Sequence, residues 1–124
     1  INPPRPTLQE IRTYLSGAPF ANWVSSASHF SALETLSPKD HKSYLRALLY
    51  PARFIYSWMT GRMASNDEAV TFLSEQPVPG LDVDLVVAAL QCRHDARDPD
   101  HLFPARAALP RQVETCVRLV GLQP

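Results

Sequence analysis

The stretch from Tyr44 to Leu73, YLRALLYPARFIYSWMTGRMASNDEAVTFL, constrains the fold more than any other part of this chain. Leu45, Leu48, Leu49, Ala52, Ile55, Tyr56 and Met59 recur at helical spacing over a run too long and too regular for a strand. Arg46, Tyr50, Arg53, Ser57 and Thr60 form a polar stripe on another face, so the two faces have different neighbours. That polar face is either solvated or looks into a cleft. Gly61 can take the left-handed conformation that closes a helix. Ser65 and Glu68 then have the spacing of a capping box, which restarts the chain as a new helix with Asp67 and Glu68 at its positive end. Pro51 falls mid-helix, removes a backbone bond to the carbonyl of Ala47 and predicts a kink.

The rest of the chain reads as helices arranged around this rod. Ile1 and the following NPPRP resemble an interdomain linker over residues 1–6, so the sequence reads as a piece of something longer, with a helical domain over 7–124. Thr7 caps a short helix with Leu8, Ile11 and Leu15 on one side and Gly17 as its stop. A second helix is predicted over about 20–36, buried through Phe20, Trp23, Val24, Ala27, Phe30 and Leu33. Ser37 and Pro38 start the long kinked helix. After the turn at EQPVPG, a helix over about 81–93 uses Leu85, Val86, Ala89 and Leu90 as its inner side. Pro99 and Pro104 break the chain, and a last helix over about 106–122 turns Leu109, Val113, Cys116, Val117 and Val120 inward. Nothing alternates at period two for long enough to need a sheet. The fold class is all-α, a single bundle of five to six helices with one long Pro-kinked central helix.

Composition narrows the function classes. The chain has 12 Lys and Arg against 12 Asp and Glu, a balance that argues against general nucleic-acid binding without excluding a local charged pocket. Cys92 and Cys116 both fall in predicted helices and read as buried thiols of a reducing compartment in preference to a disulfide framework, with a bond between the two left open by the sequence. No run reaches membrane-spanning length and no leader is visible, so the expected location is cytoplasmic, with no membrane partner. His94, Asp95, Asp98, Asp100 and His101 have metal-ligand chemistry, but a proline-interrupted loop would have to fold back to converge them, and a solvated turn is the preferred reading. No metal site and no catalytic residue is assigned. No nucleophile elbow and no glycine-rich phosphate loop occurs, since only four glycines are present and none cluster. Arg53 reads as a surface residue whose stem covers apolar surface or, if turned inward, as the partner of an acid, and a paired structural role is preferred over ligand contact.

LLYPARFIYSWMTGRMASNDEAVTFL, with the later LVVAALQCR, resembles the C-terminal helical domain of aminoglycoside adenylyltransferases, the streptomycin and spectinomycin resistance enzymes. The resemblance rests on Arg53, Phe54, Tyr56, Thr60-Gly61, Ala64-Ser65, Ala69 and Ala88-Ala89-Leu90, and covers roughly half the chain well. It implies an O-nucleotidyltransferase in which an N-terminal nucleotidyltransferase domain holds ATP and Mg. The helical domain then closes the cleft over an aminoglycoside-like small molecule, so this segment would bind substrate without turning it over. On the same resemblance Glu34, Asp40 and Tyr44 fall near the sugar, and Asn66 and Arg93 near the phosphates. Asn66 stands where the family often has a lysine, and Arg93 where it has a tyrosine. The Trp that the family carries just before the long helix has only Trp23 as its nearest match. The alternative is a stand-alone helical interaction module, marked by an apolar patch with a polar rim.

Overall fold

Local capping chemistry sets most of the helix ends. In the computed structural model, which describes residues 7–76 and 78–121, the Thr7 hydroxyl accepts the Glu10 amide at 3.1 Å and the Glu10 carboxylate accepts the Thr7 amide at 3.3 Å. This reciprocal cap starts α1, Leu8–Leu15. The proposed linker 1–6 lies outside the described residues. Helix α2 spans Ala18–Ala32, shorter than its sequence pattern because Leu33 turns to extended backbone. A 3-10 turn at Pro38–Asp40 leads into α3, His41–Thr60, which Gly61 ends at a φ of 72°. The Ser65 hydroxyl accepts the Glu68 amide at 3.2 Å and starts α4, Asn66–Glu75. Its reciprocal partner differs from the expected box, because the Glu68 carboxylate accepts from the Ser65 hydroxyl at 3.3 Å. Then come α5, Val83–His94, a second 3-10 segment, Pro99–Ala108, and α6, Leu109–Gly121. Among the described residues there is no strand, and the fold is an all-α bundle.

Helix α3 is the axis of that bundle. It packs against every other α-helix and both 3-10 segments. Its 20 residues extend about 30 Å. Tyr44, Leu48, Leu49, Ala52, Phe54 and Ile55 are all buried, so more than one stripe faces apolar neighbours. The helix continues unbroken across Pro51, whose ring is itself fully buried. Proline cannot donate to the carbonyl of Ala47, and the indole N–H of buried Trp23 fills that place at 2.9 Å. The Trp23 ring stacks on Tyr50 at 4.9 Å and meets Phe20 edge-on at 5.8 Å. One α2 side chain therefore repairs the backbone defect in α3.

Two expectations at the C-terminal end change. The last α-helix starts at Leu109, because Pro99 and Pro104 remove amides from the preceding segment, which stays 3-10. Val117 is 50% exposed, whereas Gln112 and Thr115 are buried. The Gln112 amide brackets the start of α5, accepting the Asp82 amide at 2.9 Å and donating to the Asp82 carbonyl at 3.1 Å. Thr115 donates to the Gly80 carbonyl at 3.1 Å. These polar groups lie inward because the turn at 80–82 offers them backbone partners. Cys92 and Cys116 are free and buried, and burial pushes the Cys116 thiol up to about 12. No helix among the described residues is long and apolar enough to cross a membrane.

Candidate functional site

The reversal between α3 and α4 brings the polar stripe of the long helix against the start of the next one. Gly61 and the Ser65 cap turn the chain back, and Asn66 comes to lie beside Arg53. The last turn of α5 closes the third side with Leu90, Arg93 and His94. Between them is an open groove of about 290 Å³. Arg93 and His94 occupy the negative end of the α5 dipole, where cations are favoured. The His94 Nε2 lies 2.8 Å from the Asp67 Oδ1 and ties the end of α5 to the start of α4. Both side chains are at least half exposed, so the pair orients the groove more than it stabilises the fold.

Arg53 corrects an expectation. It is exposed and has no acidic partner among the described residues, so the paired structural role does not hold. Its guanidinium and that of Arg93 line the same groove as Asn66. The arrangement offers several donors, and its carboxylate, Asp67, already faces His94. Such a set suits the oxygens of an anion.

The residues assigned to a sugar separate from this groove. Tyr44 is fully buried, its hydroxyl donates to the Leu102 carbonyl at 2.8 Å, and its ring meets Phe30 and Phe103 edge-on. Burial pushes its hydroxyl up to about 12, with Arg106 pulling the other way. Tyr44 is thus a core residue, which corrects its placement near a ligand; residue 44 shares the inward face of α3 with Leu48 and Ile55. Asp40 is half-buried at the N-terminus of α3 and makes no side-chain cap. At 1.5 Å per residue it lies about 20 Å along the axis from Arg53. Glu34 is exposed in the connection after α2.

The His94 to His101 cluster disperses. His94 faces Asp67, Asp95 accepts the Gln91 amide at 3.1 Å, and Asp98 and Asp100 lie 3.5 and 3.6 Å from His41. No group of three or more His, Cys, Asp or Glu among the described residues could hold a metal ion.

Beyond Arg93, the sequence placed Arg46 on the polar stripe but did not single out Lys42 or Arg97, which line a space with it. Lys42 and Arg46 continue the stripe of Arg53 toward the N-terminus of α3, and Arg97 faces them from beyond α5. The α3 pair was legible from its spacing, because residues 42, 46 and 53 fall within about 40° on a helical wheel. Arg97 was not, since its position depends on how α5 ends. No family model, curated protein or solved structure matches the chain.

Proposed function

We propose that this chain is the C-terminal, substrate-binding helical lobe of an aminoglycoside-type O-nucleotidyltransferase, and that the groove of Arg53, Asn66 and Arg93 receives the phosphate tail of ATP. The observation that carries the reading is the meeting of Asn66 and Arg93, 27 residues apart in sequence, in one groove with an unpaired Arg53. Phosphate oxygens suit two guanidinium groups and a side-chain amide. The groove has no pair of free carboxylates for Mg, and that role falls to the N-terminal nucleotidyltransferase domain implied by the resemblance. Adenylyl transfer to a small hydroxylated acceptor would then occur between the two domains, with this lobe binding and orienting. The chain would act as a cytoplasmic resistance enzyme's transferase lobe, with no nucleic-acid partner.

Calorimetric titration with ATP at low ionic strength tests the reading. ATP is expected to bind weakly, more tightly than AMP, and Arg53→Gln should weaken it about tenfold, in line with a charge-assisted bond worth about 1.5 kcal/mol. Equal binding of ATP and AMP, or an Arg53→Gln variant with unchanged affinity, would overturn it. A second reading, a helical interaction module without activity, is favoured by exposed Leu8, Tyr14, Met59 and Met63. It predicts no ATP binding at all.

A further inference from the structure

We infer that a second pocket, across Arg93 from the first groove, binds a small molecule with a dianionic head of the phosphate-monoester class. The anion site does not depend on the nucleotidyltransferase reading and lies apart from the place of that reading's aminoglycoside acceptor. The pocket measures about 480 Å³, room for a ligand of sugar-phosphate size. Lys42 and Arg46 enter it from α3, Arg93 from α5 and Arg97 from the loop that follows. Four of the chain's 12 Lys and Arg thus surround one space in a molecule with no net charge.

Among the described residues, the one carboxylate lining the pocket lies beside a histidine. Asp98 lines the pocket but lies 3.5 Å from the His41 Nδ1, and Asp100 lies 3.6 Å from the Nε2 of the same ring. Among the described residues, no carboxylate pairs with Lys42, Arg46, Arg93 or Arg97. The residues outside that description include no Asp or Glu. Lys42 also sits in the first turn of α3, at the positive end of the helix dipole, where Asp40 is the N-cap residue but makes no side-chain cap. Lys42 is set against a helix dipole and all four cations repel one another, and an anion would relieve that repulsion.

Backbone strain at the pocket wall supports the assignment. Helix α5 ends in a Schellman turn: the Arg97 amide donates to the Cys92 carbonyl at 3.0 Å and the Ala96 amide to the Arg93 carbonyl at 3.2 Å. Ala96 holds the left-handed position at a φ of 52°, where glycine is the low-energy residue. The Cys92 thiol donates to the Arg97 carbonyl at 3.2 Å and fixes the far side of the turn. The turn therefore holds Arg97 opposite Lys42 and Arg46 at a conformational cost. A polycationic aminoglycoside would meet these four positive groups and one carboxylate already facing His41.

Titration of the 124-residue chain with a hexose 6-phosphate, the unphosphorylated hexose, streptomycin and ATP tests this, with Lys42→Gln, Arg97→Gln and Arg53→Gln as variants. The hexose phosphate should bind and the hexose should not, and streptomycin should not compete for this pocket. Lys42→Gln and Arg97→Gln should each weaken the phosphate about tenfold, as expected for one charge-assisted bond, while Arg53→Gln leaves it unchanged. All three side chains are exposed, and circular dichroism will confirm folded variants. Streptomycin binding that competes with the phosphate, or phosphate binding indifferent to Lys42 and Arg97, would overturn the assignment. So would ATP affinity lost equally in all three variants, because both pockets would then be one nucleotide site. Loss of ATP binding alone, with the phosphate arm intact, would sink only the nucleotide reading.

Discussion

Replacing Trp23 by Phe tests whether the indole N–H completes α3 at Pro51. The substitution keeps an aromatic ring against Tyr50 but removes the donor to the Ala47 carbonyl, 2.9 Å away. A buried carbonyl left without a partner costs about 1–3 kcal/mol, and the smaller ring adds a packing loss of about 1 kcal/mol. The packing loss is not diagnostic, so the decisive quantity is a coupling. In a Pro51→Ala background residue 51 regains an amide positioned for the Ala47 carbonyl, four residues earlier in the same helix. Trp23→Phe should then cost about 1–2 kcal/mol less than in the parent chain, since only packing is lost. Urea unfolding of the parent, both single variants and the double variant closes the cycle. The same cost for Trp23→Phe in both backgrounds would show that the indole bond is incidental and that α3 tolerates an unpaired Ala47 carbonyl.

Other perturbations follow from single contacts. Tyr44→Phe removes the bond to the Leu102 carbonyl and should lower stability by about 1–2 kcal/mol, while leaving ATP and phosphate affinity unchanged; a selective loss of binding would return Tyr44 to a ligand role. Ala96→Gly should raise stability by about 1 kcal/mol, because glycine holds the left-handed φ without steric cost, and a lower melting temperature would contradict the strain at that turn. Alkaline pH should destabilise the fold: burial pushes Cys116 from 9.0 to about 12 and Tyr44 and Tyr50 from 10.0 to about 12. Between those values the unfolded chain has released protons that the folded chain keeps, so stability is complete below pH 9 and falls as pH rises. Unfolding at about pH 10.5 should show a loss of about 2–4 kcal/mol relative to about pH 8, from 1.36 kcal/mol per unit, and a flat profile would refute the burial of these groups.

Helix ends written in local chemistry were legible, and features set by distant partners were not. Thr7 with Glu10, Ser65 with Glu68, and Gly61 each declare a boundary within four residues, and each stands where its spacing predicts. Tyr44 was set near a ligand by the resemblance, whereas α3 is enclosed on several faces and buries this polar-tipped aromatic in the core. Gln112 and Thr115 were overlooked because their partners at Asp82 and Gly80 lie some thirty residues away in sequence. The 3-10 character of 99–108 hid behind its prolines, which read as a break. In the site, Asn66 and Arg93 were named only through the family resemblance, and the structure puts the two in one groove. Arg97 was not legible, since an alanine in a position that glycine usually fills gives no warning of a Schellman turn.

The balanced composition conceals a segregation of charge that ties the fold to the site. Glu10, Asp67, Glu68, Asp82 and Asp84 lie in first turns or at caps, where they complement helix dipoles. Asp98 and Asp100 flank His41. Lys42, Arg46, Arg53, Arg93 and Arg97 face two grooves joined at Arg93, and the one carboxylate lining each, Asp98 or Asp67, lies beside a histidine. An arrangement tuned only for stability would exchange a few of these signs at little cost, because surface ion pairs are worth at most about 1 kcal/mol each. On the proposed anion sites, the folded chain would bind anions that the unfolded chain does not, and a ligand would stabilise the bundle through mass action. The same long helix that organises the core therefore also sets the electrostatic sign of the surface it leaves uncovered.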